Sequence, residues 1–307
     1  MQPQRQGGIS VKSRSVIYLA LAAGVFMLSA SGVFAKVARA PAGIIAFYRL
    51  FFATLALLPW LLSHKNDRRE LCSLSPAQYA EGALAGFFLA VHYVMWFESL
   101  RYTSVASSTV LAALQPLFSV IWGRLFLGER LSARALTGGA IAVAGSAVVG
   151  WSDFSVSSQA LWGDLLALVS GGVISLYFFC GQILRRRMGA VAYSVLSYGS
   201  SSAVLALYAL FMGHPFAGYA PGTWGAFLGL ALVSTIGGQM VFNVLLKWIT
   251  ATTVTMGILG EPVGTCFLAW LFLGETLSAQ QAAGIAVILA GLALFFAAQR
   301  QSQAERA

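Results

Sequence analysis

Charge is what this 307-residue chain has least of: Asp, Glu, Lys and Arg make up only 9% of it. A water-soluble domain carries about a quarter charged residues, so this chain lacks the groups needed to face water over its whole surface. Apolar residues reach 58%, and lipid must cover much of what they expose. The three cysteines, Cys72, Cys180 and Cys266, are far apart and make neither a CxxC nor a metal-ligand spacing. Two of them fall inside apolar runs, where a free thiol packs as a small hydrophobe, so no disulfide and no metal site is expected. Also missing are a glycine-rich phosphate loop with its lysine, an HExxH, and a Ser-His-Asp set on polar segments. Those absences exclude ATP hydrolysis and the familiar hydrolytic chemistries, and no cofactor is expected. Acidic residues are few, 10 against 19 basic, for a net charge of +9. The basic residues lie between apolar runs and form no continuous patch, which reads as a signal of membrane orientation and not as a nucleic-acid surface.

What the chain has is apolar runs of membrane length. A hydrocarbon layer about 30 Å thick needs about 20 helical residues. Ten such runs can be placed, at 15–35, 41–62, 79–100, 104–127, 132–150, 162–184, 190–212, 223–246, 250–274 and 278–298. The first ends in small residues like a signal peptide, but its length and the similar runs that follow make it a first span. The joints are short and carry turn or charge signals, such as Ala40-Pro41, HKNDRRE at 64–70, RRR at 185–187 and His214-Pro215. An even number of spans puts both termini on one side. Fourteen Lys and Arg residues fall on that side, against Lys36, Arg39 and Arg101 on the other, with Arg49 and Arg124 inside spans. The bias places both termini on the inner, cytoplasmic side of the membrane.

The strongest pattern is an internal repeat. LFLGERLSA at 125–133 returns as LFLGETLSA at 271–279, and the same offset of 146 superposes Thr109 on Thr255, Pro116 on Pro262, Gly138 on Gly284 and Ala144-Gly145 on Ala290-Gly291. Each half then holds five spans, and an odd number turns the second half upside down. The expected fold is an all-α membrane protein of ten transmembrane helices, two inverted five-helix repeats (1–151 and 152–307) around a central cavity. Inverted repeats are the architecture of secondary transporters, in which rocking of the halves alternates access to a site near the midplane.

Three stretches resemble the drug/metabolite transporter superfamily, and within it the EamA-type exporters: FYRLFFA at 47–53, ESLRYTSVASSTVLAALQPLFSVIWGRLFLGERLS at 98–132 and GEPVGTCFLAWLFLGETLS at 260–278. The glycine-spaced GIAVILAGLALFF at 284–296 fits as well, and the similarity covers essentially the whole chain. The resemblance implies ten helices, an inner-membrane location and efflux of amino acids or related metabolites. The YddG-like aromatic amino acid exporters are a relative within the group, although no motif singles that branch out. One departure stands out: the second half has Tyr198-Gly199 where the first has Tyr48-Arg49, so a cavity role for the arginine has no counterpart.

Several residues are candidates for substrate binding. Pro116 and Pro262 sit mid-span at matched positions, preceded by Gln115 and Glu261. A mid-helix proline removes one hydrogen bond and frees carbonyls near Ala112 and Ile258, so the pair is expected to bend the fourth and ninth spans as hinges beside the pathway; the alternative is a tolerated kink. Glu261 is the one carboxylate near a span centre. Placed charged in lipid it would cost at least about 2.5–3.5 kcal/mol, so it should face the interior, be held neutral, or bond to Gln239, Asn243 or a freed carbonyl. Arg49, a turn or two from the outer end of its span, either snorkels outward, the favoured reading, or meets a substrate carboxylate. His92, Tyr93 and Trp96 are central in the third span, with His92 and Trp96 on one face, and their counterparts Gly238, Gln239 and Phe242 differ. Such an aromatic face suits an amine or a ring, and ordinary packing is the alternative. Tyr177 and Tyr198 are weaker candidates of the same kind. Glu129 and Glu275 end the repeated segments and read as interfacial. Ser278 and Gln281 make a capping box, and the glycines at 138, 145, 284 and 291 suit close helix packing.

A secondary transporter of a small amphipathic solute, foremost an amino acid, fits best. It needs the lipid bilayer and its substrate as partners, and the sequence fits a monomer. Carriers of another metabolite or drug class would share the fold. A membrane-embedded enzyme should cluster several acids or histidines at one depth, and a channel should show a repeated filter. Neither pattern is present. Phosphorylated substrates would call for several mid-membrane cations, and only Arg49 approaches that.

Overall fold

In hydrocarbon every backbone N–H and C=O must be satisfied within the protein, which forces long apolar runs into helices. The computed structural model describes residues 11–103, 105–150, 158–274 and 278–304 and is helical throughout its elements. The first half holds α1 (Val11–Val37), α2 (Ala42–Ser63), α3 (Lys65–Cys72), α4 (Pro76–Ser99), α5 (Val105–Ala112), α6 (Gln115–Leu127) and α7 (Ala133–Gly150). The second holds α8 (Ser158–Leu184), α9 (Ala190–Phe211), α10 (Pro221–Gly229), a π-helical segment (Leu230–Gln239), α11 (Met240–Leu245), α12 (Ala251–Ile258), α13 (Glu261–Leu273) and α14 (Ala279–Ala304). Among the described residues nine stretches are long and apolar enough to cross a membrane, and α7, with a shorter apolar core at Ala133–Val148, makes the tenth of the series. Large apolar side chains such as Phe211, Leu125 and Phe272 point outward where lipid tails would lie.

The joint 64–70 is not a loop. Lys65–Cys72 forms the short helix α3, and Glu70 from it accepts a hydrogen bond from the backbone N–H of Gly189 at 2.5 Å, just ahead of α9. The expected capping box opens α14: Gln281 N–H donates to Ser278 Oγ (3.1 Å) and Ser278 N–H to Gln281 Oε1 (3.0 Å). Glu275 lies outside the described residues.

The repeat is visible in how the fourth and ninth spans are built. Each is two helices, α5 with α6 and α12 with α13, and the expected kinks are full interruptions. Pro116 and Pro262 are the second residues of α6 and α13, where a missing N–H costs nothing. The two-residue gaps close with tight turns, Leu114 N–H to the Leu111 carbonyl (3.2 Å) and Gly260 N–H to the Gly257 carbonyl (2.9 Å). The second helix of each pair ends at the repeated glycine, Gly128 at φ 63° and Gly274 at φ 68°, the left-handed cap that only glycine adopts freely.

The halves interleave. α4 packs on α8 and α9, α2 on α9, and α1 on the π-helical segment and α13. α7 lies along α14 so closely that a Cβ on Gly291 would sit 2.4 Å from the Ala142 nitrogen, and one on Gly138 2.5 Å from the Phe295 nitrogen. The π-helical segment was not anticipated, because its cause is tertiary. Thr235 Oγ1 bonds to the Leu230 carbonyl five residues back (2.9 Å), and Gly238 lets α1 approach to backbone contact. Wide turns of this kind cluster at functional sites.

Candidate functional site

A cavity opens where the two interrupted spans meet. Its walls are Leu28 and Ser31 (α1), Arg49 (α2), His92, Tyr93 and Trp96 (α4), Thr109 and Ala112 (α5), Ala113, Gln115 (α6), Ile174 and Phe178 (α8), Gln239, Ile258 (α12) and Glu261 (α13). The cavity volume is about 50 Å³. That holds a few waters, so a larger solute enters only if the wall side chains or the halves move.

Arg49 is 1% exposed and does not snorkel, contrary to the favoured reading of the sequence. Its neighbours explain why. Nε donates to Thr235 Oγ1 (2.9 Å), Nη1 to Ser31 Oγ (3.2 Å), and the guanidinium carbon lies 4.5 Å from the centre of the Tyr93 ring. These contacts replace part of its lost hydration and fix its plane. Nη2 is left buried without a partner.

The interruptions place Gln115 and Glu261 at equivalent points, each the first residue of a half-helix facing the cavity. There the helix dipole favours negative charge, which suits the Glu261 carboxylate. That carboxylate makes no hydrogen bond to Gln239 or Asn243 and no ion pair with Arg49; instead, Ser29 Oγ bonds the Glu261 backbone carbonyl (3.1 Å). Gln115 Oε1 and Gln239 Nε2 are buried and unpartnered. Ala112 and Ile258, whose carbonyls the prolines free, also line the cavity.

His92 is oriented by the Ser170 carbonyl, 3.0 Å from Nδ1. A carbonyl only accepts, so Nδ1 carries the hydrogen and Nε2 of the neutral ring is an acceptor. Its ring lies parallel to Trp96, 6.5 Å between centroids.

Three candidates are not brought here. Tyr177 Oη donates to Asn243 Oδ1 (2.9 Å), while Asn243 Nδ2 donates to Ser194 Oγ (3.0 Å) and Tyr198 Oη (3.1 Å). All three are wholly buried among α8, α9 and α11, in a knot with its hydrogen bonds satisfied internally. Pro116 and Pro262 flank the cavity without lining it. Ser31 and Thr109 were missed among the lining residues; the recurrence of Thr109 as Thr255 was the available signal, and Ser31 had none.

One end of the cavity is clasped. Glu129, after α6, accepts from Gln182 Nε2 (2.7 Å) on α8 and from Thr252 Oγ1 (3.0 Å) on α12, and Gln182 Oε1 accepts from Ala251 N–H (2.5 Å). These bonds tie α6 to α8 and α12 across the halves. Among the described residues no hydrogen bond joins α5 to α13 at the opposite end.

The sequence profile of the EamA-like transporter family matches residues 15–151 and again 161–297. The chain belongs to the EamA-like transporter family. Relatives of this EamA protein include an uncharacterized transporter of Archaeoglobus fulgidus, 26% identical over 81% of this chain and 84% of that protein. The pseudopaline exporter of Pseudomonas aeruginosa PAO1 is 29% identical over 92% of this chain and 96% of its own. A probable terminal-alkyne amino-acid exporter of Streptantibioticus cattleyicolor is 24% identical over 63% of this chain and 64% of that one. A solved crystal structure shares the fold, with a TM-score of 0.77 at 18% identity, covering 94% of this chain and 99% of the other. This EamA transporter is thus a multi-pass membrane protein and not an enzyme.

Proposed function

We propose that this transporter exports amino acids, aromatic ones included, from a bacterial cell by alternating access at the cavity between its halves. In this reading both termini and the Glu129 clasp face the cytoplasm, as the excess of basic residues on that side supports. One observation carries the reading: a buried arginine, a carboxylate and an aromatic face line a single cavity at the two mid-span interruptions. Zwitterions carry both charges, and aromatic walls suit their side chains. The relatives named as exporters of pseudopaline and of an amino acid support this choice of cargo.

The test is reconstitution of the purified protein in liposomes and uptake of a labelled amino acid panel with and without a pH gradient. Accumulation of at least one aromatic or aliphatic amino acid is expected. No movement of any of them would overturn the assignment of cargo while leaving the transporter family standing.

A further inference from the structure

The arginine in the cavity is held in an unusual way. Two of its three nitrogens and the face of its guanidinium plane are used by the protein, by Thr235, Ser31 and Tyr93, and the third nitrogen, Nη2, is buried with no acceptor. Leaving a charged donor buried and unmet is costly, more so than for a neutral group. A fold keeps such a donor where something else completes it. Among the described residues no carboxylate lies within ion-pair distance of it, so no protein group does so in this conformation.

A second orphan donor lies in the same wall. Gln239 Nε2 is also buried and unbonded, and Gln239 closes the π-helical segment that holds Thr235 one turn earlier. Thr235 donates its own hydroxyl to the Leu230 carbonyl and accepts from Arg49 Nε, so the wide turn sets Arg49 and Gln239 on a common mount. Side chains four residues apart on a helix share a face. At the equivalent place in the other half stands Tyr93, which accepts nothing from Nη2 and covers the guanidinium face. Both orphans are donors on one wall, and an oxyanion is a group that can accept from both.

We propose that Arg49 Nη2 and Gln239 Nε2 together bind the carboxylate of the transported molecule, so that an acid group is required of every good substrate. This deepens the amino-acid reading and rests on the same cavity. Arg49 and Gln239 determine specificity; Thr235 is a positioning residue, acting through Arg49. Glu261 and Gln115 Oε1, on the opposing half-helices, remain as acceptors for the ammonium end.

The test compares three labelled series in liposomes: amino acids, the amines left by their decarboxylation, and the matching carboxylic acids without the amino group. Wild-type protein is expected to carry at least one amino acid about tenfold or more over its amine, the scale of one charge-assisted hydrogen bond. Arg49→Gln and Gln239→Leu should each erase most of that preference. Gln239→Leu leaves the bonds of Arg49 to Thr235 and Ser31 intact, so it answers if Arg49→Gln fails to fold, and thermal unfolding in detergent reports folding separately. Amines carried as well as amino acids, or a preference unchanged in Gln239→Leu and in folded Arg49→Gln, would overturn the carboxylate site while the exporter reading stands. Transport confined to acids without an amino group, and lost in both variants, would uphold the site and remove the amino-acid reading. Movement of none of the three series would overturn both.

Discussion

At the scale of single residues, charge and polarity inside the bundle divide into a used set and an unused set. The Tyr177–Asn243–Tyr198 knot is used up by the protein, each group bonded to another at 2.9–3.1 Å. Tyr177→Phe is therefore expected to lower thermal stability by about 1–3 kcal/mol, the cost of leaving Asn243 Oδ1 buried and unmet, with the KM for substrate unchanged. Glu261 behaves oppositely, since its carboxylate lines the cavity and has no hydrogen-bond partner among the described residues. Glu261→Gln reproduces the residue already present at the matched position, Gln115, and should fold normally while amino acid transport falls about tenfold or more. Arg49, His92, Tyr93, Trp96, Gln115, Gln239 and Glu261 line the cavity. Polar and aromatic residues near a span centre could be recognised as such; which of two buried faces each one occupies could not, and Tyr177, Tyr198 and Asn243 face one another and not this cavity.

At the scale of elements, the broken spans and the glycine-packed pair answer to different physics. Pro116 and Pro262 keep two half-helices from fusing in each repeat. Alanine at either site restores a helical N–H and removes the ring clash, so Pro262→Ala is expected to insert and fold yet slow transport; an unchanged rate in the liposome assay would count against a hinge. α7 and α14 depend on bare backbone contact. Gly291→Ala gains helix propensity, about 1 kcal/mol, but forces a Cβ to 2.4 Å from the Ala142 nitrogen. Overpacking of this kind costs about 1–3 kcal/mol, so the melting temperature should drop. Prolines and glycines announced these elements because their effect is local to the chain. The π-helical segment carried no such mark, since a residue of ordinary helix propensity is drawn into the wide turn by Arg49 and α1 and not by its own preference.

At the scale of the whole molecule, alternating access as proposed would require the Glu129 clasp to open. Glu129→Ala removes two bonds that cross between halves, and the population should shift toward a conformation open at that end. In a background lacking the native cysteines, Ser119→Cys, buried 3% exposed beside Thr252, is then expected to react several-fold faster with a membrane-impermeant maleimide added to the cytoplasmic side. The native Cys72 at the end of α3 is exposed. It should label only in inverted vesicles, and labelling in intact cells would reverse the orientation derived from the basic residues.

Membrane class, the count of spans, the repeat and the sites of interruption were settled by sequence alone, because hydropathy, proline geometry and recurrence at a fixed offset act along the chain without regard to what packs alongside. The inward set of Arg49, the self-closed knot around Asn243 and the wide turn that mounts Gln239 were decided only in three dimensions. Each depends on which groups neighbouring helices happen to offer, and a buried polar side chain takes its direction from the partner it finds.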